Sequence, residues 1–301
     1  TNVSLTPEPI VKYFLFLLKL SLHYHGLGSG KTCSSIAIAE GMKDNKRVII
    51  LTPASLRRNY MEEIKKCGDL MFRKLQFWEW IPTTNDEQQS ESLSRALGLE
   101  EEFIKRRGGA WLVNIAKPTN YESLSGNDKQ SLNTQLDEMI KNKYTFINYN
   151  GIRRDKFKNL TNDFKNNIFD NAVVIIDEAH NLISRIVNKI NKSPKDIAKK
   201  RGTDNIPLNL ALIIYEFLLK ANGCRIVLLT GTPVINYPNE IGILFNILRG
   251  YIKTWELPLK IDSTRTLTRE QVLTILSKEK IVDYVDYTPS TKTLTITRNP
   301  Y

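Results

Sequence analysis

The stretch His25-Gly-Leu-Gly-Ser-Gly-Lys31-Thr32 constrains this chain more than any other, because it sets a glycine-rich turn between an apolar run and a helical one. Upstream, Leu18 to Tyr24 is short, apolar and partly alternating, as a strand entering a sheet should be. Downstream, Lys31 to Lys43 carries Ile36, Ala37, Ala39 and Glu40 at helical spacing and ends at the next glycine and charge cluster. Gly28 and Gly30, flanking Ser29, permit a backbone curl in which successive N–H groups face an anion, and the positive end of the following helix adds to that field. Lys31 then offers a point charge to the β and γ phosphates of a nucleotide, and Thr32 a hydroxyl to Mg²⁺. The plainer alternative is a glycine-rich turn that happens to precede a lysine. The strict G-x-x-x-x-G-K-T pattern would put glycine at position 25, where His25 stands; Gly-x-Gly-Lys-Thr is intact.

A chain of 301 residues, 41% hydrophobic and 25% charged, has room for one large α/β domain with insertions or two small domains. Its 43 Lys and Arg against 32 Asp and Glu leave a charge of +11, which suits a polyanionic partner such as nucleic acid as well as simple solubility. Three widely spaced cysteines, Cys33, Cys67 and Cys224, suggest neither a disulfide framework nor a zinc pattern, so a reducing intracellular compartment is expected. The apolar run Ile10 to Leu22 is broken by Lys12 and Lys19 and falls short of the ~20 residues a membrane span needs, so no membrane partner is expected. It also lacks a small-residue cleavage site and reads as a short helix, Pro9 to Phe16, leading into the first strand.

Continuous apolar runs at Arg47 to Leu51, Asn171 to Asp177 and Arg225 to Thr230 read as strands buried on both faces of a parallel sheet; Gly108 to Ile115 and Tyr144 to Tyr149 read as further strands. Helical patterns lie between them, at Ser55 to Lys66, Ala179 to Ile190 and Pro207 to Ala221, with a polar surface loop over Asn191 to Asn205. The alternation predicts a doubly wound α/β fold, a mostly parallel sheet with helices on both faces and ligands beyond the carboxyl ends of its strands. Less regular, polar stretches between 68 and 143 read as insertions, and Ile281 to Tyr287 with Thr293 to Thr297 as a C-terminal β-hairpin.

Asp177-Glu178-Ala179-His180 ends one of the buried strands, on the same sheet edge as the glycine-rich loop. Asp177 there can hold Mg²⁺ through its water shell, and Glu178 can orient and deprotonate a water attacking a γ-phosphate. An acidic pair is equally at home capping a helix N-terminus. Thr230-Gly231-Thr232-Pro233 ends the next strand, where small hydroxyls can relay the state of a phosphate site or simply make a turn. His23 and His25 share a strand face but have no third metal ligand.

Taken in order, Gly26 to Thr32, Thr-Pro-Ala-Ser-Leu at 52 to 56, Asp177 to His180 and Thr230 to Pro233 resemble motifs I, Ia, II and III of superfamily 2 helicases and translocases, over about residues 18 to 250. Leu-Thr-Gly-Thr-Pro is similar to Snf-type DNA translocases; the loop and Thr-Pro-Ala-Ser-Leu-Arg-Arg-Asn-Tyr look more like helicases of large DNA viruses, including poxvirus-type early-transcription ATPases. The resemblance implies a RecA-like domain over 1–250 and an extension over 251–301. It implies ATP held by Gly28, Ser29, Gly30, Lys31 and Thr32, Mg²⁺ shared by Thr32 and Asp177, Glu178 as catalytic base, and His180 coupling the site to Thr230, Gly231 and Thr232.

Thr52 and Ser55 would touch a nucleic acid backbone, DNA or RNA, with Arg57 and Arg58 either helping or forming a solvated helix face. A further basic zone, Lys141, Lys143, Arg153, Arg154, Lys156 and Lys158, reads as solvated surface rather than a track. No glutamine precedes the loop to read adenine, and the 68 residues after Pro233 are fewer than the ~100 to 200 of a second RecA-like domain with its arginine fingers. The expectation is therefore one half of a nucleic-acid-directed ATPase, weak alone and tied to viral transcription in the virion or cytoplasm. The other reading is a nucleotide-dependent binding module of a transcription complex.

Overall fold

The computed structural model describes residues 20–24, 30–42, 46–83, 87–190, 209–250, 253–259, 268–276 and 282–298. Gly28, Ser29, the anticipated helix over 9–16 and the polar loop over 191–205 lie outside them. In chain order the first elements are β1 (Leu20–Tyr24), α1 (Lys31–Met42), β2 (Arg47–Thr52), α2 (Arg57–Cys67), β3 (Phe77–Pro82), α3 (Glu87–Leu97), α4 (Glu101–Arg107), β4 (Gly109–Asn114) and α5 (Gly126–Lys143). There follow β5 (Tyr144–Asn148), α6 (Arg154–Leu160), β6 (Ala172–Ile176), α7 (Ala179–Ile190), α8 (Leu210–Lys220), β7 (Arg225–Thr230) and α9 (Asn239–Arg249). The last are β8 (Lys253–Pro258), α10 (Arg269–Leu276), β9 (Val282–Thr288) and β10 (Thr293–Arg298).

The main sheet has the order β1-β7-β6-β2-β5, and every pairing in it is parallel. Its apolar runs split residue by residue between two cores, as the period of two demands. Val48, Ile50, Val173, Ile175, Val227 and Leu229 join the core beneath α1, α2 and α5. Ile49, Leu51, Val174, Ile176, Ile226 and Leu228 join the one beneath α7, α8 and α9. Each such side chain, fully buried, contributes about 1.5 to 3 kcal/mol, so the strands hold helices on both faces. The expected doubly wound architecture is the one observed.

Three readings of the sequence gain detail. Gly109–Asn114 is a strand, but it pairs antiparallel with β3 in a separate two-stranded sheet. The polar stretches between 68 and 143 are largely helical. Their helices bury one narrow stripe each, Leu93 and Leu97 in α3 and Leu132, Leu136 and Ile140 in α5, so their average polarity resembles that of loops. The C-terminal hairpin β9–β10 is present with a third strand, β8, on the other side of β10.

The small sheet β3–β4 avoids open edges by side-chain mimicry of a neighbouring strand. Buried Gln135 on α5 accepts the Trp111 N–H at 2.8 Å and donates to the Trp111 carbonyl at 2.7 Å. On the other edge, Asn120 accepts the Trp78 N–H at 2.8 Å and donates to the Trp78 carbonyl at 3.0 Å.

The cysteine reading is overturned: Cys33 and Cys67 form a disulfide, with Cα atoms 5.7 Å apart and a sequence separation of 34. Counting cysteines could not reveal it, because the pair meets only where α1 packs along α2. Cys224 is free, and burial pushes its thiol up to about 12.

Gln135→Leu should destabilise the protein by about 1 to 3 kcal/mol, since it leaves both Trp111 backbone groups buried without partners. Urea denaturation checks this against Gln130→Leu, an exposed position on the same helix, which should change stability by less than about 0.5 kcal/mol.

Candidate active site

Because β1, β7, β6 and β2 are parallel neighbours, their carboxyl ends open on one edge. Tyr24 at the end of β1 is in register with Thr230 at the end of β7, and Leu228 and Leu51 both pair with Ile176 in β6. The segments that follow are thereby brought together: Gly30 to Thr32, Thr230 to Thr232, Asp177 with Glu178, and Pro53 to Arg57.

Gly30 precedes the first turn of α1 with φ of +78°, a conformation that an L side chain would strain, and a Cβ there would meet nothing within 4 Å. The 12-residue α1 begins at Lys31, so its unpaired N–H groups and dipole face the same edge. Ser35 anchors this turn, its Oγ donating to the Thr32 carbonyl at 2.7 Å and lying 2.7 Å from the Tyr60 hydroxyl of α2.

Asp177 sits at the centre. Its backbone N–H donates to the Leu51 carbonyl at 2.8 Å. Its Oδ1 accepts the Glu178 N–H at 3.1 Å, and its Oδ2 accepts the Thr52 hydroxyl at 3.4 Å. Burial, seconded by the charge of Glu178, pushes its carboxyl up from 3.8 to about 6, while those hydrogen bonds and the Lys31 charge act the other way. A buried carboxylate beside another, with a lysine in range, is an arrangement that gains from a divalent cation. The Thr32 hydroxyl and Asp177 are hard oxygen donors of the kind magnesium prefers, so these residues fit the group.

Glu178 is held at φ of +46°, a left-handed conformation that costs a non-glycine residue about 1 to 3 kcal/mol. Tyr149 helps impose it: its buried hydroxyl is 3.1 Å from the carbonyls of both Asp177 and Glu178. Burial and those two negative charges push the Tyr149 hydroxyl well above its ordinary value, so it stays a donor. The turn throws the Glu178 carboxylate toward His180, with Oε2 3.3 Å from Nδ1. The same Nδ1 lies 2.9 Å from Thr230 Oγ1, which also accepts the Thr232 N–H at 3.1 Å. Glu178, His180, Thr230 and Thr232 thus form one polar chain across β6 and β7.

The structure brings together Gly30, Lys31, Thr32, Asp177, Glu178, His180, Thr230, Gly231 and Thr232. It does not place Thr52 on a nucleic acid surface: that side chain is fully buried and serves Asp177. Ser55 and Arg58 are exposed. Arg57 lies over the Phe146 ring at 5.1 Å and lines an open cavity of about 580 Å³ with Ala54, Asn148, Arg153, Lys156 and Asn159. Arg153 and Lys156 are exposed, as expected of solvated surface, and stand on the wall of the same open hollow that Arg57 lines. Tyr149 went unnoticed in the sequence, where it looked like the end of an apolar strand.

A parallel sheet with a lysine-bearing helix start, a half-buried acid pair and a histidine–threonine link on one edge defines a helicase-type NTPase domain of superfamily 2. Residues 22–233 match the family model described as "Type III restriction enzyme, res subunit", and the chain belongs to that family.

Among curated relatives it is 28% identical over 247 residues to a "Putative ATP-dependent RNA helicase" of Acanthamoeba polyphaga mimivirus, covering 81% of this chain and 31% of that protein. It is 23% identical over 239 residues to the "Termination factor NPH-I homolog" of African swine fever virus, covering 77% and 22%. The chain therefore spans less than a third of the length of either. The Pyrococcus furiosus Hef helicase domain aligns with a TM-score of 0.36 at 14% identity, over 80% of this chain and 36% of that one, a likeness too low to argue from.

The raised Asp177 pKa has a stability consequence in metal-free protein. The folded state holds this proton up to about pH 6 and the unfolded chain only to about 3.8, so stability is present below pH 4 and is lost as pH rises to 6. Asp177→Asn should therefore stabilise the protein at pH 7.5 in a chelator by about 1 to 3 kcal/mol, and by much less at pH 4. Urea denaturation at the two pH values reads the difference; equal effects at both would contradict it.

Proposed function

We propose that this chain is the ATP-binding half of a nucleic-acid-directed motor: it binds ATP with Mg²⁺ and hydrolyses it when a second RecA-like domain completes the site. The observation that carries the reading is the convergence of Asp177, Glu178 and the His180–Thr230 link on the edge where α1 begins. Gly28, Ser29 and Gly30 would wrap the phosphates, with the Lys31 ammonium on the β and γ oxygens. Thr32 and Asp177 would hold magnesium, which when bound neutralises phosphate charge and polarises the γ-phosphoryl group. Glu178 would take the proton of the attacking water onto its carboxylate. His180 would orient that carboxylate and carry its state through Thr230, Gly231 and Thr232 to the segment beyond. That segment exposes Val234, Ile235, Tyr237, Ile241 and Phe245, an apolar surface suited to a docking domain. The 1–250 portion would be the RecA-like domain and 251–301 the lead toward its partner.

Nucleic acid would lie across the cavity beside α2, with Arg57, Arg153 and Lys156 on phosphates, Ser55 and Arg58 at its margin, and the net charge of +11 favouring the encounter. DNA is the first candidate, following the Snf-like Leu-Thr-Gly-Thr-Pro at 229–233, and a viral transcription setting follows from the African swine fever virus relative named a termination factor; the mimivirus relative, named an RNA helicase, keeps RNA in view. No helix among the described residues is long and apolar enough to cross a membrane. The retention of Lys31, Asp177 and Glu178 favours hydrolysis over a purely docking role for the nucleotide.

The test is Mg-ATP turnover with and without duplex DNA or single-stranded RNA, beside Glu178→Gln. The expected result is binding by both proteins, slow turnover by the wild type and none by the variant. An arginine finger is worth about 10³ to 10⁵ in rate, so brisk turnover by the isolated chain would contradict the half-site reading. Turnover surviving in Glu178→Gln would remove Glu178 as base. Arg153→Glu with Lys156→Glu should weaken nucleic acid binding and flatten its salt dependence by about two phosphate contacts while leaving ATP binding intact.

A further inference from the structure

The disulfide lies against the nucleotide site and serves no step of it. Cys33 follows Thr32 directly, in the first turn of α1, and Cys67 is the last residue of α2. Both are half-buried, so small redox reagents can reach them. The same pocket also suits the reduced pair. Glu63 Oε2 lies 3.7 Å from Cys33 Sγ, and the Glu63 carbonyl oxygen lies 3.2 Å from Cys67 Sγ, so each thiol would find an acceptor on one residue.

We propose that Cys33 and Cys67 are a reversible thiol–disulfide site that sets the affinity of the adjacent phosphate loop, the oxidised state binding nucleotide more tightly. The inference rests on the nucleotide-site reading above. Its physical basis is ordering: phosphate binding requires the turn Gly30–Cys33 to be fixed, and the cross-link to α2 fixes its last residue beforehand. A site already ordered loses less entropy on binding.

Oxidation balances with a small-molecule disulfide such as glutathione disulfide. One protein thiol displaces a glutathione to form the mixed disulfide, and the second displaces the other glutathione. Two electrons pass from the cysteine sulfurs to the reagent, and the two thiol protons end on the two glutathiones. A dithiol reverses the process. Because coupling is reciprocal, bound nucleotide must protect the disulfide from reduction by the same factor that the disulfide strengthens nucleotide binding.

The test measures Mg-ATP binding to the wild-type chain oxidised by glutathione disulfide and reduced by dithiothreitol, beside Cys67→Ser, with non-reducing peptide mapping of the Cys33–Cys67 link. About a 5-fold or greater weakening on reduction is expected. Cys67→Ser should match the reduced protein and ignore both reagents. The equilibrium constant for reduction in glutathione buffers should shift by a similar factor when Mg-ATP is added, a response that a purely structural disulfide would not give.

Equal affinities in both redox states, or a redox response persisting in Cys67→Ser, would overturn the proposal while leaving the nucleotide site standing. Failure of both states to bind Mg-ATP would instead sink the nucleotide-site reading and this inference with it. Stoichiometric zinc retained by reduced wild type and lost in Cys67→Ser would also overturn it, since Cys33, Glu63 and Cys67 are close enough to hold an ion.

Discussion

A strand buried on both faces can carry polar side chains only at its ends, and that constraint organises this molecule. β6 throughout, and β2 and β7 between their first and last residues, are apolar because helices cover both faces of the sheet. Their first polar side chains past the core are Thr52, Asp177 and Thr230, and the parallel register delivers all three to one edge. The chemistry of the edge is thus a consequence of packing. Even Thr52 and Thr230, both fully buried, are tolerated because each has a partner at the edge, Asp177 for one and His180 for the other.

Electrostatics and strain then concentrate at the same place. Asp177 is held in a setting that resists its charge, and Glu178 in a backbone conformation that resists its side chain. Both costs are carried by the two-core sheet beneath. Tyr149 and Thr52 act through the acid pair and touch neither face of the cavity beside α2, so the edge divides into a carboxylate side around β6 and β7 and a basic side beyond β2 and β5.

Legibility in the sequence followed the same division. Val173 to Ile176 and Ile226 to Leu229 were readable as central strands because burial on both faces leaves an unbroken apolar run, and the residues ending them were readable as site residues for that reason. Gln135 and Asn120 were not, since an amide that completes a strand edge looks in sequence like any polar surface residue. Thr52 was misassigned because a motif position says nothing about whether a hydroxyl faces a carboxylate or solvent. The Cys33–Cys67 pair depends on a contact between two helices separated in the chain, which no local period encodes.

The central claim is that the edge around Asp177 is a metal–nucleotide site, and equilibrium binding of ATP with and without Mg²⁺ from pH 5 to 8, for wild type and Asp177→Asn, tests it most directly. The account predicts that wild-type binding needs Mg²⁺ and weakens as the pH falls through about 6, where Asp177 takes up a proton. The Asn variant should lose most of the Mg²⁺ enhancement and the pH dependence together. Magnesium-independent binding that Asp177→Asn leaves unchanged would contradict it.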